Sequence, residues 1–242
     1  MKLEPFALSD VGLVRRDNED SSALLPERGL FLVADGMGGA AGGKRASQTA
    51  VEAIGERLAG AEPAGSEALL ESVLEANRRI FAMAAADSSL KGMGTTIVAL
   101  LVEDERTGVV LNVGDSRIYR LRGEVFEQLT RDHSFVADLL RRNDISEDEA
   151  RSHPYRHMLT RALGVSEEVT PDVRRVDLAD GDLYLLCSDG VYGMMSPEDL
   201  RRIVAENRHS AESVCRELIA AARNGGGRDN ATVVAVRLGA DS

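Results

Sequence analysis

Short apolar runs bounded by turn residues alternate with segments of helical spacing along this chain. The apolar runs predict β-strands at about 21–25, 30–34, 95–102, 109–121, 182–187 and 231–238. Apolar residues recur every three to four positions at 44–60, 66–86, 197–206 and 211–223, which predicts helices. A strand pair, two helices and then further strands predict an α+β fold instead of regular βαβ alternation.

Residues 132–165 have a different pattern. They are charged, show helical spacing and are interrupted by Pro154. They separate the strand region that ends near Leu129 from the one that begins near Asp182. We therefore predict a helical flap at about 132–165, inserted into a single domain that spans 1–242.

Composition and charge exclude several classes of partner. The 242 residues carry a net charge of −11, and the arginine pairs are scattered beside acids. Nucleic acid and anionic membranes would be repelled by this surface, so neither is expected as a partner. The N-terminus shows no signal peptide and no apolar run is long enough to span a bilayer, so we expect a cytoplasmic protein.

The two cysteines do not indicate a reactive site. Cys187 and Cys215 lack C-x-x-C spacing, which argues against a disulfide framework or a zinc site. Neither begins a C-x₅-R sequence, which excludes a cysteine-nucleophile phosphatase loop. Both are expected to be buried packing residues.

The stretch FLVADGMGGAAGGK, residues 31–44, supports two interpretations. Gly38, Gly43 and Lys44 reproduce the G-x-x-x-x-G-K spacing of a phosphate-binding loop. Arg45, however, stands where that motif has a Ser or Thr that binds magnesium. The alternative is that Asp35 is a metal ligand and that the glycines pack the start of the following helix.

The first predicted hairpin brings two acids together. If Leu25 faces Leu30 across a turn at Pro26–Gly29, the same antiparallel register places Asp20 opposite Asp35, with Cα atoms about 4.5–5.5 Å apart. Two like charges at that distance either shift a pKa strongly or hold a cation.

Further acids are predicted at the same rim. Asp115 and Asp189 follow strands, and Asp229 precedes one. Because the end of one antiparallel strand lies beside the start of its neighbour, all these acids can converge. A site built only from carboxylate oxygens suits Mg²⁺ or Mn²⁺, and this much negative charge predicts more than one ion.

Eight motifs in order resemble the metal-dependent protein phosphatase family, type 2C, in its compact bacterial form. They are GLVRRDNED, VADGMGGAAGG, GMGTT, NVGDSRIYRL, LTRDHS, HPYRHMLTRALG, GDLYLLCSDG and GGGRDNATVVAV. The resemblance implies a four-layer α-β-β-α sandwich of two antiparallel sheets flanked by helix pairs. It also implies hydrolysis of phosphoserine and phosphothreonine by direct attack of a water that bridges two metal ions, in signal transduction on proteins phosphorylated by a bacterial Ser/Thr kinase.

Residue roles follow from the resemblance by motif position. Asp35 would bridge two Mn²⁺ or Mg²⁺ ions and Arg15 would hold the substrate phosphate. Asp189 and Asp229 would complete the shell of one ion. The Gly36 carbonyl would bind the other ion, with Glu19 and Asp20 in or just behind its shell. Asp115 would bind a weaker third ion.

Three residues depart from the family pattern. Met37 stands where many eukaryotic members have a histidine, and His157 stands where asparagine is frequent. Gly193 replaces an acid, which keeps a catalytically weak pseudophosphatase as the alternative function. His133 and His153 are expected to be structural residues of the flap.

Overall fold

The computed structural model describes residues 1–39, 42–60 and 65–239, which form an α+β fold. The strands are β1 Lys2–Asp10, β2 Ser21–Leu25, β3 Leu30–Ala34, β4 Gly36–Met37, β5 Gly94–Thr95, β6 Ile97–Val102, β7 Thr107–Val113, β8 Arg117–Arg122, β9 Val125–Gln128, β10 Asp172–Asp177, β11 Leu183–Cys187 and β12 Ala231–Gly239. The α-helices are α1 Gly42–Ala59, α2 Ser66–Ala86, α3 Phe135–Arg141, α4 Glu147–Ser152, α5 Asp189–Tyr192, α6 Pro197–Asn207 and α7 Ala211–Asn224.

Two five-stranded antiparallel sheets form the centre of the fold. We call the sheet with strand order β1-β12-β11-β8-β9 the first sheet and the one with order β10-β7-β6-β3-β2 the second sheet. A two-stranded ribbon, β4-β5, lies beside them. The predicted α-β-β-α sandwich is confirmed, because three separate hydrophobic layers cover the sheet faces.

Alternating side chains of single strands supply these layers. In β3, Phe31 and Val33 face the layer between the two sheets, whereas Leu30, Leu32 and Ala34 face α1 and α2. In β12, Val234 and Val236 enter the layer between the sheets, whereas Val233 and Ala235 pack under α6 and α7. Burial on both faces explains why these antiparallel strands are continuous apolar runs.

The first hairpin has the predicted register. Leu25 pairs with Leu30 and Ser21 pairs with Ala34. The turn at Pro26–Arg28 is a short 3₁₀-helix that ends at Gly29 in the left-handed region, with φ 62°. The carboxylates of Asp20 and Asp35 therefore lie at the open end of this hairpin, one position beyond the last pair.

Two runs that were each predicted as one strand are divided in the structure. The run 95–102 is divided between β5 and β6, and the run 109–121 is two strands, β7 and β8, joined by a turn at 114–116. That turn carries the chain from the second sheet into the first, a change of sheet that periodicity does not reveal. Four further strands, β1, β4, β9 and β10, have no counterpart in the prediction.

The helices agree closely with their predicted limits. Helix α2 has the predicted range, and α1, α6 and α7 differ by one or two residues at their ends. The Ser196 side chain caps α6, whose first residue is Pro197. The flap contains α3 and α4, and α4 ends two residues before Pro154. No helix in the described ranges is long and apolar enough to cross a bilayer.

Candidate metal centre

The predicted acids meet at a cavity of about 610 Å³. Its wall includes Glu19, Asp35, Asp115, Asp189 and Asp229. Arg15 and Gly36 also line it, whereas Asp20 lies behind the wall. The structure thus brings together every residue that the sequence assigned to the site.

The cavity lies at the seam between the two sheets, not along the rim of one sheet. Asp20 and Asp35 flank the β2–β3 hairpin of the second sheet. Asp189 opens the short helix α5, two residues after β11, and Asp229 lies two residues before β12, so both belong to the first sheet. Asp115 occupies the turn that joins the sheets. Asp189 follows β11, as predicted, and it is the first residue of α5, with Ser188 at the N-cap position between them.

Backbone hydrogen bonds fix Asp35 from both sides. Its amide donates to Oγ1 of Thr96 at 3.0 Å. Its carbonyl accepts from the Thr96 amide and from Oγ1 of Thr95, both at 2.9 Å. The backbone is therefore held by Thr95 and Thr96, where β5 leads into β6, and the carboxyl group lines the cavity with Asp189.

One oxygen of Asp20 has no hydrogen-bond partner. Oδ2 accepts from Oγ of Ser188 at 2.8 Å, and the same Oγ accepts from the Thr232 amide at 3.0 Å. Oδ1 is buried and unpaired. A buried acceptor without a donor lowers the stability of the fold, so a cation or a donor at this atom would be stabilising.

Arg15 and Asn230 organise the mouth of the cavity. The Arg15 Nη2 atom donates to Oδ2 of Asp229 at 2.8 Å, and half of the Arg15 side chain is exposed. Asn230 accepts from the Glu19 amide at 2.8 Å and donates to the carbonyls of Val11 and Asp17. Asn230 thereby fixes the whole loop that carries Arg15.

Glycines allow backbones to approach closely behind the acids. A Cβ atom at Gly36 would lie 2.1 Å from the Gly43 carbonyl oxygen and 2.6 Å from that of Glu19. A Cβ atom at Gly43 would lie 2.5 Å from Oε2 of Glu19. These contacts give Gly36 a packing role at the start of α1. The phosphate-loop alternative includes residues 40 and 41, which lie outside the described residues.

Burial and mutual repulsion raise the pKa values of the acids. Burial is the larger cause and brings the pKa of Asp20 to about 7 and that of Asp115 to about 8. Burial, followed by the charges of Asp20 and Asp189, raises the pKa of Asp35 well above its usual range. The pKa of Asp189 is raised by burial and by Asp229. Such a cluster is unfavourable in its charged form unless cations neutralise it.

The donor set fits hard divalent cations. Every candidate ligand is a carboxylate or carbonyl oxygen, and the unpaired Asp20 oxygen lies beside them. Within the described residues, no three His, Cys, Asp or Glu side chains already enclose a metal-binding position. The acids line the cavity, where the ion pair of Arg15 with Asp229 offsets part of their repulsion.

The departures from the family pattern have clear structural settings. Met37 lines the cavity, and its Cε atom would lie 2.9 Å from a Cβ atom at Gly94. His157 is 70% exposed, with Nδ1 4.0 Å from Oδ2 of Asp189. A Cβ atom at Gly193 would lie 2.8 Å from the Asp189 carbonyl oxygen, so α5 in this form does not readily accept a side chain there.

The two flap histidines lie away from the cavity wall. His133 is buried, and its Nδ1 atom accepts from the Gly114 amide at 3.2 Å. His153 is the C-cap residue that follows α4, and its Nδ1 atom accepts from the Tyr155 amide at 3.2 Å. Neither histidine lines the cavity, and the structural role of both stays a prediction.

Sequence reasoning missed the residues that support the acids. They are Ser188, Asn230, the Thr95–Thr96 pair and Tyr192, whose hydroxyl donates to the Asp115 carbonyl at 2.9 Å. The signal was present in "CSDG" and "RDNAT", where a small polar residue adjoins each acid. Both cysteines are buried, as predicted, and burial raises the pKa of each thiol to about 12.

Known proteins share this sequence and fold. Residues 9–223 match the family described as protein phosphatase 2C. The serine/threonine phosphatase stp of Listeria innocua is 37% identical, over 94% of this chain and 93% of the relative. The crystal structure of the Mycobacterium tuberculosis serine/threonine phosphatase PstP/Ppp is 38% identical, with a TM-score of 0.90 over 98% of this chain and 99% of that one.

A further solved structure is that of the catalytic domain of the phosphatase PstP in complex with two manganese ions. It is 35% identical and superposes with a TM-score of 0.88 over 98% of this chain and 99% of that one. The sequence match and the four-layer sandwich both indicate the same family. This chain belongs to the protein phosphatase 2C family.

Proposed function

We propose that this protein is a metal-dependent protein phosphatase that hydrolyses phosphoserine and phosphothreonine in proteins. One observation carries the proposal: four aspartates from two sheets meet at one cavity, where a buried Asp20 oxygen has no partner and Arg15 lies at the mouth. Family membership and the manganese complex of a relative support it.

The acids would hold two Mn²⁺ or Mg²⁺ ions. Asp35 is central to the cluster, since Asp20, Asp189, Asp115 and Asp229 all affect its pKa, and it would contact both ions. Asp189 and Asp229 would complete the shell of one ion. The Gly36 carbonyl, Glu19 and Asp20 would serve the other, and Asp115 would serve a third. When bound, such ions activate water for attack on phosphorus and neutralise charge on the phosphoryl oxygens.

The chain's own residues bind and orient the phosphate. The planar guanidinium of Arg15 can bind two phosphoryl oxygens at once, after exchanging its contact with Asp229. Asn230 holds the Arg15 loop in place, and the Thr95–Thr96 segment holds Asp35. Both cysteines are buried and neither lines the cavity, so a thiol nucleophile is excluded, and we propose direct attack of water.

The substrates proposed are cytoplasmic proteins phosphorylated by a bacterial Ser/Thr kinase, in signal transduction. The named activities of the relatives support this class. We propose that residues 1–242 act as one phosphatase domain and that the flap at 132–165 faces the substrate, because His157 and Leu159 line the cavity.

The test is hydrolysis of a phosphothreonine peptide with added Mn²⁺. Asp35→Asn and Asp189→Asn should each lower kcat/KM at least about 100-fold, since each removes charge that positions the ions. Asp180→Asn is the matched control because Asp180 is exposed and does not line the cavity. Full activity in either cavity variant would refute the proposed site. Peptide binding by the unmodified protein without turnover would support the pseudophosphatase that Gly193 keeps open.

A further inference from the structure

Two consecutive arginines line the cavity, and only one is engaged. Arg15 is bonded to Asp229 at 2.8 Å. Arg16 is exposed and lines the same cavity. Among the described residues, no side chain forms a hydrogen bond or an ion pair with it. A charged group that is not used for internal structure is free to bind a ligand.

The backbone around Arg16 is held in place. The Leu13 amide donates to the Gly227 carbonyl at 2.7 Å, and Asn230 donates to the carbonyls of Val11 and Asp17 at 2.9 and 3.0 Å. The loop is therefore anchored on both sides of Arg16. Its Cα atom has a fixed position relative to the cavity, and only the side chain is free to adjust.

The ligand for Arg16 must be an anion close to the phosphate. Successive Cα atoms are about 3.8 Å apart, and an extended peptide advances about 3.3 Å per residue. If Arg15 binds the phosphate, Arg16 reaches a group that belongs to a residue within one or two positions of the phosphorylated one. The guanidinium fork is suited to bind a carboxylate or a second phosphate.

We propose that Arg16 is a specificity residue that selects phosphorylated sites flanked by an anionic group. This inference rests on the proposed phosphatase function and adds the substrate sequence that the site prefers. The net charge of −11 makes the preference informative, because the protein as a whole repels acidic peptides. A preference for acidic sites would therefore have to arise locally.

Asp17 works against this preference. It follows Arg16 and lines the same cavity. The negative charge of Asp17 weakens the binding of an anion to Arg16. Removing this charge should therefore strengthen the preference for anionic flanking groups.

The experiment measures kcat/KM for matched phosphothreonine peptides. Each peptide carries Asp, phosphoserine or Asn at one position within two residues of the phosphothreonine, or Asp five residues away. For the unmodified enzyme, the ratio of kcat/KM for the nearby-Asp peptide to that for the Asn peptide should be about two- to fivefold, as expected for one exposed charge-assisted pair. The phosphoserine arm distinguishes a second phosphate from a carboxylate as the better anion.

Variants then identify the residue responsible. Arg16→Ala should bring the ratio to about one, Arg16→Lys should retain part of it, and Asp17→Asn should increase it. Arg174→Ala is the control for charge, because Arg174 is exposed on β10 and does not line the cavity. It should leave the ratio unchanged.

Three results would overturn the inference. The first is a kcat/KM ratio that does not change in Arg16→Ala. The second is an equal effect of Asp at the distant position, and the third is an equal loss of the ratio in Arg174→Ala. The second and third results would indicate general electrostatic steering. Absence of turnover of every peptide by the unmodified enzyme would instead refute the proposed function itself.

Discussion

Gly36 offers a direct test of how the metal centre is packed. Replacing it with alanine adds one methyl group, which would lie 2.1 Å from the Gly43 carbonyl oxygen and 2.6 Å from that of Glu19. An ordinary contact of a Cβ atom is 3.4–4 Å. Both neighbours are backbone atoms, so the first turn of α1 or the hairpin end has to move by roughly 1 Å or more.

The size of the effect follows from this overlap. Overpacking of a rigid site costs about 1–3 kcal/mol, and two backbone contacts place Gly36→Ala near the upper value. At about 2–4 °C per kcal/mol for a chain of this size, the midpoint of thermal unfolding should fall by about 6–12 °C. Because Glu19 lies at the contact, Mn²⁺ affinity measured by titration calorimetry should fall as well.

The control is the same substitution at Gly55. Gly55 lies within α1, where a Cβ atom would meet only Cδ1 of Leu25, at 3.8 Å. Alanine in a helix interior is favoured over glycine by about 0.5–1 kcal/mol, so Gly55→Ala should stabilise the protein. Thermal unfolding followed by circular dichroism compares the two variants. Equal melting temperatures, or a stable Gly36→Ala protein with unaltered Mn²⁺ affinity, would refute the packing argument.

Two further predictions concern the acids. Burial raises the pKa of Asp20 to about 7 and that of Asp115 to about 8, so the folded metal-free protein holds protons that the unfolded chain releases. The free energy of unfolding should therefore fall as pH rises from 5.5 to 8.5, and added Mn²⁺ should raise the melting temperature more at pH 8.5 than at pH 5.5. An equal effect of Mn²⁺ at both pH values would contradict this prediction. Ser188→Ala removes the donor to Asp20 and the acceptor of the Thr232 amide, so the free energy of unfolding measured in urea should fall by about 1–3 kcal/mol. Ser152→Ala, at an exposed serine, is the control. Equal unfolding midpoints for the two variants would contradict this prediction.

The sequence contained most of the local structure. Helical periodicity predicted α2 to the residue, and the turn at Pro26–Gly29 predicted the register of the first hairpin. Local rules are sufficient there because the pairing partners are close in the chain. The same register placed Asp20 beside Asp35 before any long-range contact was considered.

Long-range arrangement is where periodicity was insufficient. The predicted strand 109–121 contains Gly114, Asp115 and Ser116, a turn signal that separates β7 from β8. That signal predicts a turn, but it does not show that the chain passes from one sheet to the other there. Strand β1 was missed because Pro5 and charged residues interrupt its apolar pattern, which is compatible with an edge strand whose only partner, β12, lies at the other end of the described chain. Pairing of that kind depends on the tertiary fold, and no window of neighbouring residues contains it.

The position of the cavity at the seam links the fold to metal binding. Two hydrogen bonds cross the seam here, from Ser188 to Asp20 and from the Glu19 amide to Asn230. Opposing them are like charges contributed by both sheets, whose repulsion is strongest when the acids are ionised. Divalent ions that neutralise these acids would therefore also hold the sheets together at this edge. Asp20 and Glu19, which we propose as ligands, are also the residues that these two bonds hold, so ion binding should strengthen the contact between the two halves of the sandwich.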